Sequence, residues 1–540
     1  MQKKLKEILD KRQTERGELL ISDLPSPSLI PNLEKAAKRI IENLNKGQRL
    51  LIVGDYDCDG MLATTTIFEF FVDLGYANLE ADSASSVGYI VPDRFIDGYG
   101  VSKNMVNYAI DNEFDFIVTV DNGIGAFEAI EYANENDIEV ILTDHHTPDK
   151  KVPNASIIVN LKYELGDFPC QEISGATVAW YLCAQINKDL NTGIDMRKWL
   201  DLVGITVISD VMPLISLNVA LAKYAIKSIK NKKRYLFELI FSANKRAVLT
   251  ATDIGFGFVP MINAVGRLDN AKNAIEILLS RDKGFVRNGF RYLQETNNRR
   301  KSLTQELLSL ITDQAEKQVE NGAKAIVVKQ NDLHEGIVGI LAGKLAERYM
   351  RPAYVFGWNK AKNCWKGSGR TSGAIQLYDL TYNGKNECIG FGGHAGAVGV
   401  AIQKDNFDNW KDKVIDSAKN FKNKDFIPLG EVPVDVSLKE INHNLMDLIS
   451  SYEPYGQNFP MPKFKAKVYL SILESYTEGL HWKCLIIDSE GNSSNAMFFH
   501  DKNIATFNGS EVEILFTPVK VLNRNGEDID LHAEINYLGL

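Results

Sequence analysis

Three aspartates at alternate positions follow an apolar run early in the chain, in the stretch RLLIVGDYDCDG at positions 49–60. If the extended backbone continues beyond the run, the carboxylates of Asp55, Asp57 and Asp59 lie on one side of the chain. Their charges repel one another, and a divalent cation offsets that repulsion because hard cations prefer carboxylate oxygens. A solvated acidic turn, or a cap for the next helix, explains this single stretch equally well.

Two later apolar runs end in the same way and decide between these interpretations. Residues 114–120 lead into Asp121, and residues 138–143 lead into Asp144, His145 and His146. A fourth acidic site, Asp210, follows the apolar segment 200–208. Helix caps explain any one of these residues, but they explain poorly why the same residue types end three successive strands. The sequence therefore predicts a metal centre at these strand ends.

The chemistry of this centre follows from its ligand types. Carboxylates with one or two imidazoles suit a pair of Mn²⁺ or Mg²⁺ ions, whereas structural zinc favours thiolates. Two such ions, roughly 3.5–4 Å apart, activate a water and hold the attacking and leaving oxygens of a phosphoryl transfer. The residues therefore predict hydrolysis of a phosphate ester or anhydride.

The elements that position these residues alternate between strand and helix. Continuously apolar strands are predicted at 50–53, 114–120, 138–143 and 155–159, with a helix at 61–74 and two polar helices within 3–48. Such strands are typical of a parallel sheet that is covered on both faces. Ligands gather at the carboxyl ends of parallel strands, and the candidate residues lie there.

The later part of the chain changes character twice. A long charged helix is predicted at 290–320, and strand–helix–strand alternation resumes at 325–356, followed by glycine-rich turns around 368–370 and 390–394. Short alternating strands at 464–472, 481–488, 511–519 and 529–536 predict a small β-barrel. We therefore expect an α/β fold in five segments: an N-terminal helical extension (1–48), a parallel-sheet domain (49–289), a connecting helix (290–321), a second, smaller α/β domain (322–427) and the barrel (428–540).

Composition excludes few functions but narrows the setting. The 540 residues carry a net charge of −9, which neither indicates nor excludes a nucleic-acid partner, since steering depends on where basic residues lie. Six cysteines without a CxxC pair suit a reducing compartment. The charged N-terminus is unlike a signal peptide, and no apolar run is long enough to span a membrane. We expect a soluble, cytoplasmic protein.

The motifs, taken in order, resemble a known family. DYDCDG, VDNG, TDHH and SDVMPL are similar to the four metal-binding motifs of the DHH phosphoesterase superfamily. INAVGRLDNA, HEGIVGILAGKLAERY, GSGR and GFGGHAGAVGVAI resemble the bacterial single-stranded-DNA exonucleases of that superfamily. The resemblance implies a DHH domain, a DHH-associated domain and an OB-fold. It also implies 5′→3′ hydrolysis of single-stranded DNA to mononucleotides, in DNA repair and recombination, with two Mn²⁺ or Mg²⁺ ions.

The same resemblance assigns roles to individual residues. It implies six metal ligands: Asp55, Asp57, Asp59, Asp121, His145 and Asp210. Asp144 and His146 complete the DHH motif, with His146 facing the scissile phosphate, and Arg267 and His394 are further catalytic candidates. Substrate binding is implied for Arg94, Ser368, Arg370, Gly392 and Gly393. An ion pair with Asp269 remains open for Arg267, as does a plain glycine turn for 392–394.

The sequence leaves two alternative functions open, and it also suggests binding partners. A nano-RNase or cyclic-dinucleotide phosphodiesterase of the same superfamily is the main alternative, and the C-terminal barrel counts against it. A binding scaffold that has lost its metals is a further alternative, and the intact ligand set counts against that. Single-stranded DNA is the expected partner of a monomer, together with a single-strand-binding protein and a helicase.

Overall fold

The computed structural model describes residues 2–79, 85–164, 166–231, 234–242, 249–371, 373–426, 433–476, 479, 481–499, 501–523 and 526–536. The chain divides into two compact units, one formed by Met1–Gln294 with Val432–Leu540 and the other by Glu295–Glu431. The boundary predicted near 428 lies outside the described residues. The five-segment division stays a prediction. Among the described helices, none is both long and apolar enough to cross a membrane.

A five-stranded parallel sheet organises the first unit. Its strands are β1 (Leu50–Val53), β2 (Val87–Ile90), β3 (Phe116–Val120), β4 (Glu139–Thr143) and β5 (Ile157–Val159). Their order is β2-β1-β3-β4-β5, and every neighbouring pair is parallel. Because β1, β3 and β4 are neighbours, their carboxyl ends meet at one edge of the sheet. The sequence analysis did not predict β2. Most of its residues are only half-buried, and it therefore shows no continuous run of apolar residues.

Helices cover both faces of this sheet, as the predicted fold class requires. Leu50 and Ile52 belong to the core that α2, α3 and α6 share, whereas Leu51 and Val53 pack with α4 and α5. The first unit contains the helices α1 (Gln2–Glu15), α2 (Leu33–Asn45), α3 (Cys58–Asp73), α4 (Lys103–Asp111), α5 (Phe127–Glu135), α6 (Gly175–Leu190), α7 (Leu200–Ser209), α8 (Ser216–Lys230), α9 (Tyr235–Ser242), α10 (Ala251–Asp253), α11 (Val259–Leu268) and α12 (Lys272–Leu279). A π-helical turn, Ile254–Phe258, leads directly into α11.

The second unit has its own five-stranded sheet. The predicted connecting helix is a single 38-residue helix, α13 (Lys283–Glu320), which passes from the first unit into the second. The strands are β6 (Ile326–Gln330), β7 (Ala353–Asn359), β8 (Cys364–Arg370), β9 (Cys388–His394) and β10 (Ala397–Gln403), in the order β6-β7-β8-β10-β9. Only β6 and β7 pair in parallel among these neighbours. The helices are α14 (Val338–Tyr349), α15 (Leu377–Tyr382) and α16 (Phe407–Ala418).

The predicted glycine-rich turns in this unit are wrong, because residues 364–370 and 388–394 are strands. In β8 the glycines make room for aromatic rings of the neighbouring strand. A Cβ on Gly367 would lie 2.3 Å from Cδ1 of Phe356, and a Cβ on Gly369 would lie 2.7 Å from Cδ1 of Tyr354. Glycine inside a strand often marks such a close approach, which sequence alone does not separate from a turn.

The C-terminal segment closes into a five-stranded barrel, as predicted. After helix α17 (His443–Ser450) come β12 (Phe464–Tyr476), β13 (His481–Asp488), β14 (Ser493–Phe499), β15 (Ser510–Asn523) and β16 (Gly526–Ile535), while the short β11 (Val434–Asp435) pairs with the edge of β12. The order β12-β13-β14-β16-β15 closes because β15 also pairs with β12. This is the strand order of an OB-fold. Strand β14 was not predicted from the sequence.

The end of the N-terminal helix contacts the region that precedes the barrel. The guanidinium groups of Arg12 and Arg16 lie over the ring of Phe459, at 4.6 and 4.2 Å from its centroid. Arg12 Nη2 donates to the carbonyl of Pro460 at 2.8 Å, and Arg16 Nη1 donates to that of Tyr452 at 3.3 Å. The extension predicted at 1–48 therefore holds the region before the barrel against the rest of the first unit.

Candidate metal centre

The three aspartates after β1 are brought together by a turn into a helix. The assumption that the extended backbone continues beyond the apolar run is wrong, since α3 already begins at Cys58. Asp57 caps this helix, and its Oδ1 accepts the backbone N–H of Gly60 at 3.1 Å. Asp59 lies in the first turn, and Asp55 is fully buried beside it. The capping interpretation and the clustering of carboxylates therefore hold at the same time.

The other candidate metal ligands follow β3, β4 and α7, and they lie close to these three aspartates. Asp121 follows β3 with a left-handed φ of 64°, and Asp210 caps the C-terminus of α7. Val211, the next residue, has φ 53°, which is rare for a β-branched side chain. Strained backbone of this kind costs of order 1–3 kcal/mol and clusters at functional sites.

Distances show how close these side chains lie. His145 Nε2 is 3.1 Å from Oδ1 of Asp121, 3.4 Å from Oδ2 of Asp210 and 3.9 Å from Oδ2 of Asp59. Three triplets of potential ligand atoms each fall within 4.8 Å of one another: Asp59, His145 and Asp210; Asp55, Asp57 and Asp121; and Asp121, His145 and His146. The six predicted ligands divide between the first two triplets, and the third links these two through Asp121 and His145.

The hydrogen-bonding pattern fits bound cations. Within the described part of the chain, both carboxylate oxygens of Asp55, Oδ1 of Asp121 and both ring nitrogens of His145 are buried without a hydrogen-bond partner. The 3.1 Å approach of His145 to Asp121 therefore brings two atoms together without forming a hydrogen bond. Buried polar atoms are rarely left in this state, and bound cations would take the carboxylate oxygens and one ring nitrogen of His145 as ligands. The residues present fit a pair of divalent ions.

Burial and mutual repulsion set the protonation of the metal-free cluster. Burial, followed by the charge of Asp57, raises the pKa of Asp55 and of Asp59, and burial together with neighbouring aspartates raises the pKa of Asp121 well above its usual range. Burial lowers the pKa of His145 to about 3, so its imidazole is neutral and able to bind metal through a nitrogen. Cations must therefore displace protons from the carboxyl groups when they bind.

The last histidine of the motif has a different environment. His146 Nδ1 lies 2.7 Å from Oδ1 of the buried Asp144, and the Tyr99 hydroxyl lies 3.1 Å from Nε2. Burial opposes the charged imidazole, but Asp144 outweighs it and raises the pKa of His146 to about 9. The carboxylate of Asp144 also accepts the backbone N–H groups of Ile124 and His145. Asp144 thus orients the motif and keeps His146 protonated in the metal-free protein.

Sequence reasoning missed two supports of the cluster. The backbone N–H groups of Gly175 and Ala176, at the N-terminus of α6, donate to the carboxylate of Asp59 at 2.7 and 2.9 Å. A Cβ on Gly175 would lie 2.3 Å from Oδ1 of Asp121, so only glycine fits. The second support is Asn263 of α11, whose Oδ1 accepts the backbone N–H of Cys58 at 2.8 Å. The N-cap signal Ser-Gly-Ala-Thr at 174–177 marks the helix start but not its partner.

Two of the candidate arginines, Arg94 and Arg267, belong to the first unit and lie beside the same loop. Arg267 lies in the last turn of α11, half-buried. The carboxylate of Asp269, its alternative partner, accepts the Tyr292 hydroxyl and the backbone N–H of Asn270, each at 2.8 Å. Arg94 donates through Nε to the carbonyl of Gly266 at 2.7 Å and lies 3.7 Å above the ring of Tyr56. Their roles in binding phosphate stay predictions.

The remaining candidates belong to the second unit. Arg370 Nη1 donates to Oγ of Ser368 at 2.8 Å and to the carbonyl of Gly369 at 2.7 Å. Burial lowers the pKa of Arg370. On β9, Gly392 and His394 are exposed, and Gly393 has φ 143°, with Ala397 O only 2.2 Å from a Cβ built on it. The structure therefore groups Ser368 with Arg370 on β8, and 392–394 at the end of β9.

Three family models match the chain. The DHH family, N-terminal domain, matches residues 49–206, the DHHA1 domain matches residues 322–420, and the RecJ OB domain matches residues 433–534. The parallel sheet and its cluster of aspartates and histidine thus define a phosphoesterase of the DHH class. The side chains at the strand ends could hold divalent metal ions.

Curated relatives and solved structures narrow the class further. The single-stranded-DNA-specific exonuclease RecJ of Escherichia coli is 31% identical over 460 residues, covering 81% of this chain and 78% of the relative. RecJ of Haemophilus influenzae is 29% identical and covers 89% and 85%, whereas the match to Bacillus subtilis RecJ spans only 55% of that relative. The structure of Thermus thermophilus RecJ with Mn²⁺ has a TM-score of 0.77 at 25% identity, covering 93% of this chain and 71% of that one. The chain belongs to the RecJ family.

Proposed function

We propose that this chain is a two-metal-dependent 5′→3′ exonuclease, which hydrolyses single-stranded DNA to mononucleotides in DNA repair and recombination. The observation that carries the proposal is the cluster of ligand triplets, in which both carboxylate oxygens of Asp55, Oδ1 of Asp121 and the ring nitrogens of His145 are buried without hydrogen-bond partners. The names of the curated relatives give the substrate class, since they are single-stranded-DNA-specific exonucleases. The family resemblance of the motifs supplies the polarity.

The proposed ligands are Asp59, His145 and Asp210 for one ion and Asp55, Asp57 and Asp121 for the other. When bound, the two ions supply the positive charge that activates water and stabilises the attacking and leaving oxygens of phosphoryl transfer. The chain provides the rest. Asp144 contacts the His146 imidazole, and His146 is proposed to donate a hydrogen bond or a proton to a phosphate oxygen.

Phosphate binding is proposed for arginines in both units. In the first unit, Arg267 binds the phosphate near the metals, because a guanidinium matches two phosphate oxygens at once. Arg94 assists from the neighbouring loop, where its Nε is already fixed by the carbonyl of Gly266. In the second unit, Ser368 and Arg370 bind the 5′ end, and His394 with Gly392 and Gly393 contacts the backbone of the strand. The glycines permit a close approach that side chains would block.

The cellular compartment, the partners, the oligomeric state and the domain assignments are also proposals. Six free cysteines suit the reducing cytoplasm, where a DNA-processing enzyme acts. The enzyme works as a monomer with a single-strand-binding protein and a helicase, which deliver single strands to it. The five sequence segments correspond to a helical extension, a DHH domain, a connecting helix, a DHH-associated domain and a nucleic-acid-binding barrel.

Digestion of end-labelled DNA tests the activity directly. A single strand labelled at its 5′ end should release labelled mononucleotide at once, whereas a 3′ label should stay on long products until late. Blunt duplex of the same sequence should resist, and EDTA should stop the reaction until Mn²⁺ is restored. Early release from the 3′ label, internal fragments, or turnover in excess EDTA would overturn the proposal.

A further inference from the structure

A tyrosine from a separate loop reaches the last histidine of the DHH motif. Tyr99 lies in the segment between β2 and α4, and its ring meets that of His146 edge to face, with centroids 5.8 Å apart at 83°. The Tyr99 hydroxyl lies 3.1 Å from Nε2 and 3.3 Å from Nδ1 of the imidazole. The proposed metal ligands do not explain this contact, because neither residue is one of them.

The backbone on both sides of Tyr99 is shaped to present its side chain. Gly98 and Gly100 have φ angles of 87° and 72°, in the left-handed region that favours glycine. The chain turns sharply at both residues, and Tyr99 carries the one side chain between them. The turn therefore directs a single ring towards the DHH motif.

Hydrogen bonds fix the loop that leads into this turn. Asp93 Oδ1 accepts the backbone N–H of Phe95 at 2.8 Å. Asp97 Oδ2 accepts the backbone N–H of Asp93 at 2.9 Å, and Asp97 Oδ1 accepts the hydroxyl of Ser102 at 3.1 Å. Because Ser102 immediately precedes α4, these bonds tie the loop to that helix. The loop itself thus holds Tyr99 in place.

The hydroxyl of Tyr99 leaves Nε2 of His146 open to a further partner. An oxygen on the axis of the Nε2–H bond would lie far from Nδ1, but this hydroxyl is almost equally close to both nitrogens. It therefore contacts the imidazole away from that axis. Asp144 Oδ1 lies 2.7 Å from Nδ1. A phosphate oxygen can accept the Nε2–H bond while Tyr99 and Asp144 keep the ring in one orientation.

Two other roles for Tyr99 explain these contacts less well. The residue is 55% exposed, so packing of a core does not account for it. Stacking on a nucleobase needs an aromatic ring but no hydroxyl, whereas here the hydroxyl is the group that reaches the imidazole. The ring also meets Tyr56 edge to face, at 6.1 Å and 77°. Tyr99 therefore joins the loop of the first three aspartates to the histidine of the motif.

We propose that Tyr99 is a positioning residue for hydrolysis of the phosphodiester. Its hydroxyl and the carboxylate of Asp144 hold the imidazole of His146, so that Nε2 is directed at the scissile phosphate. Asp144 lies two residues before His146 on the same loop, whereas Tyr99 is 47 positions away and provides a second, independent anchor. This role rests on the proposed function and deepens it, because it explains how His146 is oriented.

A single substitution separates the hydroxyl from the ring. In the full chain with Mn²⁺, Tyr99→Phe should lower kcat on single-stranded DNA about 10- to 100-fold, because a misplacement of about 1 Å at a reacting group costs about 100-fold. KM should not change, since the ring that a base would contact is kept. The control is Tyr108→Phe, at an exposed tyrosine of α4 whose ring stacks on Phe114, and it should act as the wild type does.

A double-mutant cycle with His146→Ala tests whether Tyr99 acts through His146. The effects of residues in contact that act as a unit are not additive. At single turnover with excess enzyme, Tyr99→Phe should therefore cost nothing further in the His146→Ala background. The rise in Tm caused by Mn²⁺ should be the same in Tyr99→Phe as in the wild type, because no proposed metal ligand is altered.

Three results would overturn this role and leave the exonuclease proposal intact. A wild-type kcat in Tyr99→Phe would mean that the hydroxyl is not needed. An equal loss with and without His146 would mean that Tyr99 acts independently of it, and a smaller Mn²⁺ shift would place its effect on the metal ions. A wild-type chain that digests no single strand would instead overturn the proposed function, and this role with it.

Discussion

Gly266 and Tyr56 touch so closely that a Cβ on Gly266 would come within 1.9 Å of the Tyr56 carbonyl oxygen. One turn earlier on α11, Asn263 accepts the backbone N–H of Cys58. The helix that carries Arg267 is therefore fitted onto the loop that carries the first three aspartates. The side chain proposed to bind phosphate and the proposed metal ligands are therefore positioned by the same packing of α11 on this loop.

Gly266→Ala should misplace both sides of this contact. Overpacking costs typically 1–3 kcal/mol of stability, and a shift of about 1 Å at a reacting centre costs about 100-fold in rate. We expect kcat on single-stranded DNA to fall about that much. The control is Gly257→Ala, in the π-helical turn before the same helix, where a Cβ meets nothing within 4 Å. Equal kcat in the two variants would contradict the argument.

Asp121→Asn should separate metal binding from folding. The variant loses a proposed ligand, so Mn²⁺ should no longer raise the melting temperature, whereas in the wild type binding adds RT ln(1 + [L]/Kd) to stability. In EDTA the variant should melt no lower than the wild type, since burial favours the neutral form of the Asp121 carboxyl group and the amide of asparagine is neutral as well. Asp111→Asn, on the exposed end of α4, is the control. A full Mn²⁺ shift in Asp121→Asn would rule out this ligand.

A buried ion triad predicts how stability depends on pH. Arg234 donates to Glu69 at 2.9 and 3.0 Å and to Asp201 at 3.0 Å. Burial of Glu69 acts to raise its pKa, but the charge and hydrogen bonds of Arg234 outweigh it, and the pKa lies below its usual value. Because the folded-state pKa is depressed, this stabilisation is present above the unfolded pKa of about 4.3 and is lost as pH falls through the folded pKa.

Arg234→Met should therefore destabilise the protein by about 3–5 kcal/mol at pH 7, because two buried carboxylates lose their cation. The difference in melting temperature between wild type and variant should shrink as the pH is lowered through 4. Arg197→Met removes an exposed pair with Asp195 and should change little at any pH. A constant difference across this pH range would mean that packing, not charge, explains the loss.

Arg370→Ala should remove most of the preference for a 5′-phosphate over a 5′-hydroxyl end. The expected loss is about 1.5–3 kcal/mol, the usual worth of a hydrogen bond to a charged group. Arg370→Lys should restore only part of it, because an ammonium group does not reproduce the planar fork. The measurement is the ratio of kcat/KM for the two ends. An unchanged ratio in Arg370→Ala would mean that another residue recognises the 5′ end, and Arg94 would be the next candidate.

Most candidate residues of the metal centre could be predicted from sequence because they lie after apolar strands, and Asp210 because it follows the apolar helix α7. Asp55, Asp121 and His145 lie just after neighbouring parallel strands, and topology then brings them together. Gly175 could not be found in this way, since its role is a backbone N–H aimed at Asp59 across the core. No residue type signals that donation, because every residue except proline has the same group.

The errors of the sequence analysis share a physical origin. Glycine predicts a turn around 368–370, where Gly367 and Gly369 instead let the rings of Phe356 and Tyr354 pack against a strand. The strand β2 was missed because it is too short and too exposed to show an apolar run. The local pattern shows neither the rings that β7 packs against these glycines nor the pairing that makes β2 a strand.

The contact between the N-terminal helix and the region before the barrel has a consequence for biosynthesis. Arg12 and Pro460 are 448 positions apart, and the whole second unit is encoded between them. At about 5–20 residues per second, a ribosome needs roughly 20–90 s to add the missing partner. During that time Arg12 and Arg16 of the nascent chain have no Phe459 ring to cover. Synthesis of the first unit therefore begins before that of the second unit and ends after it.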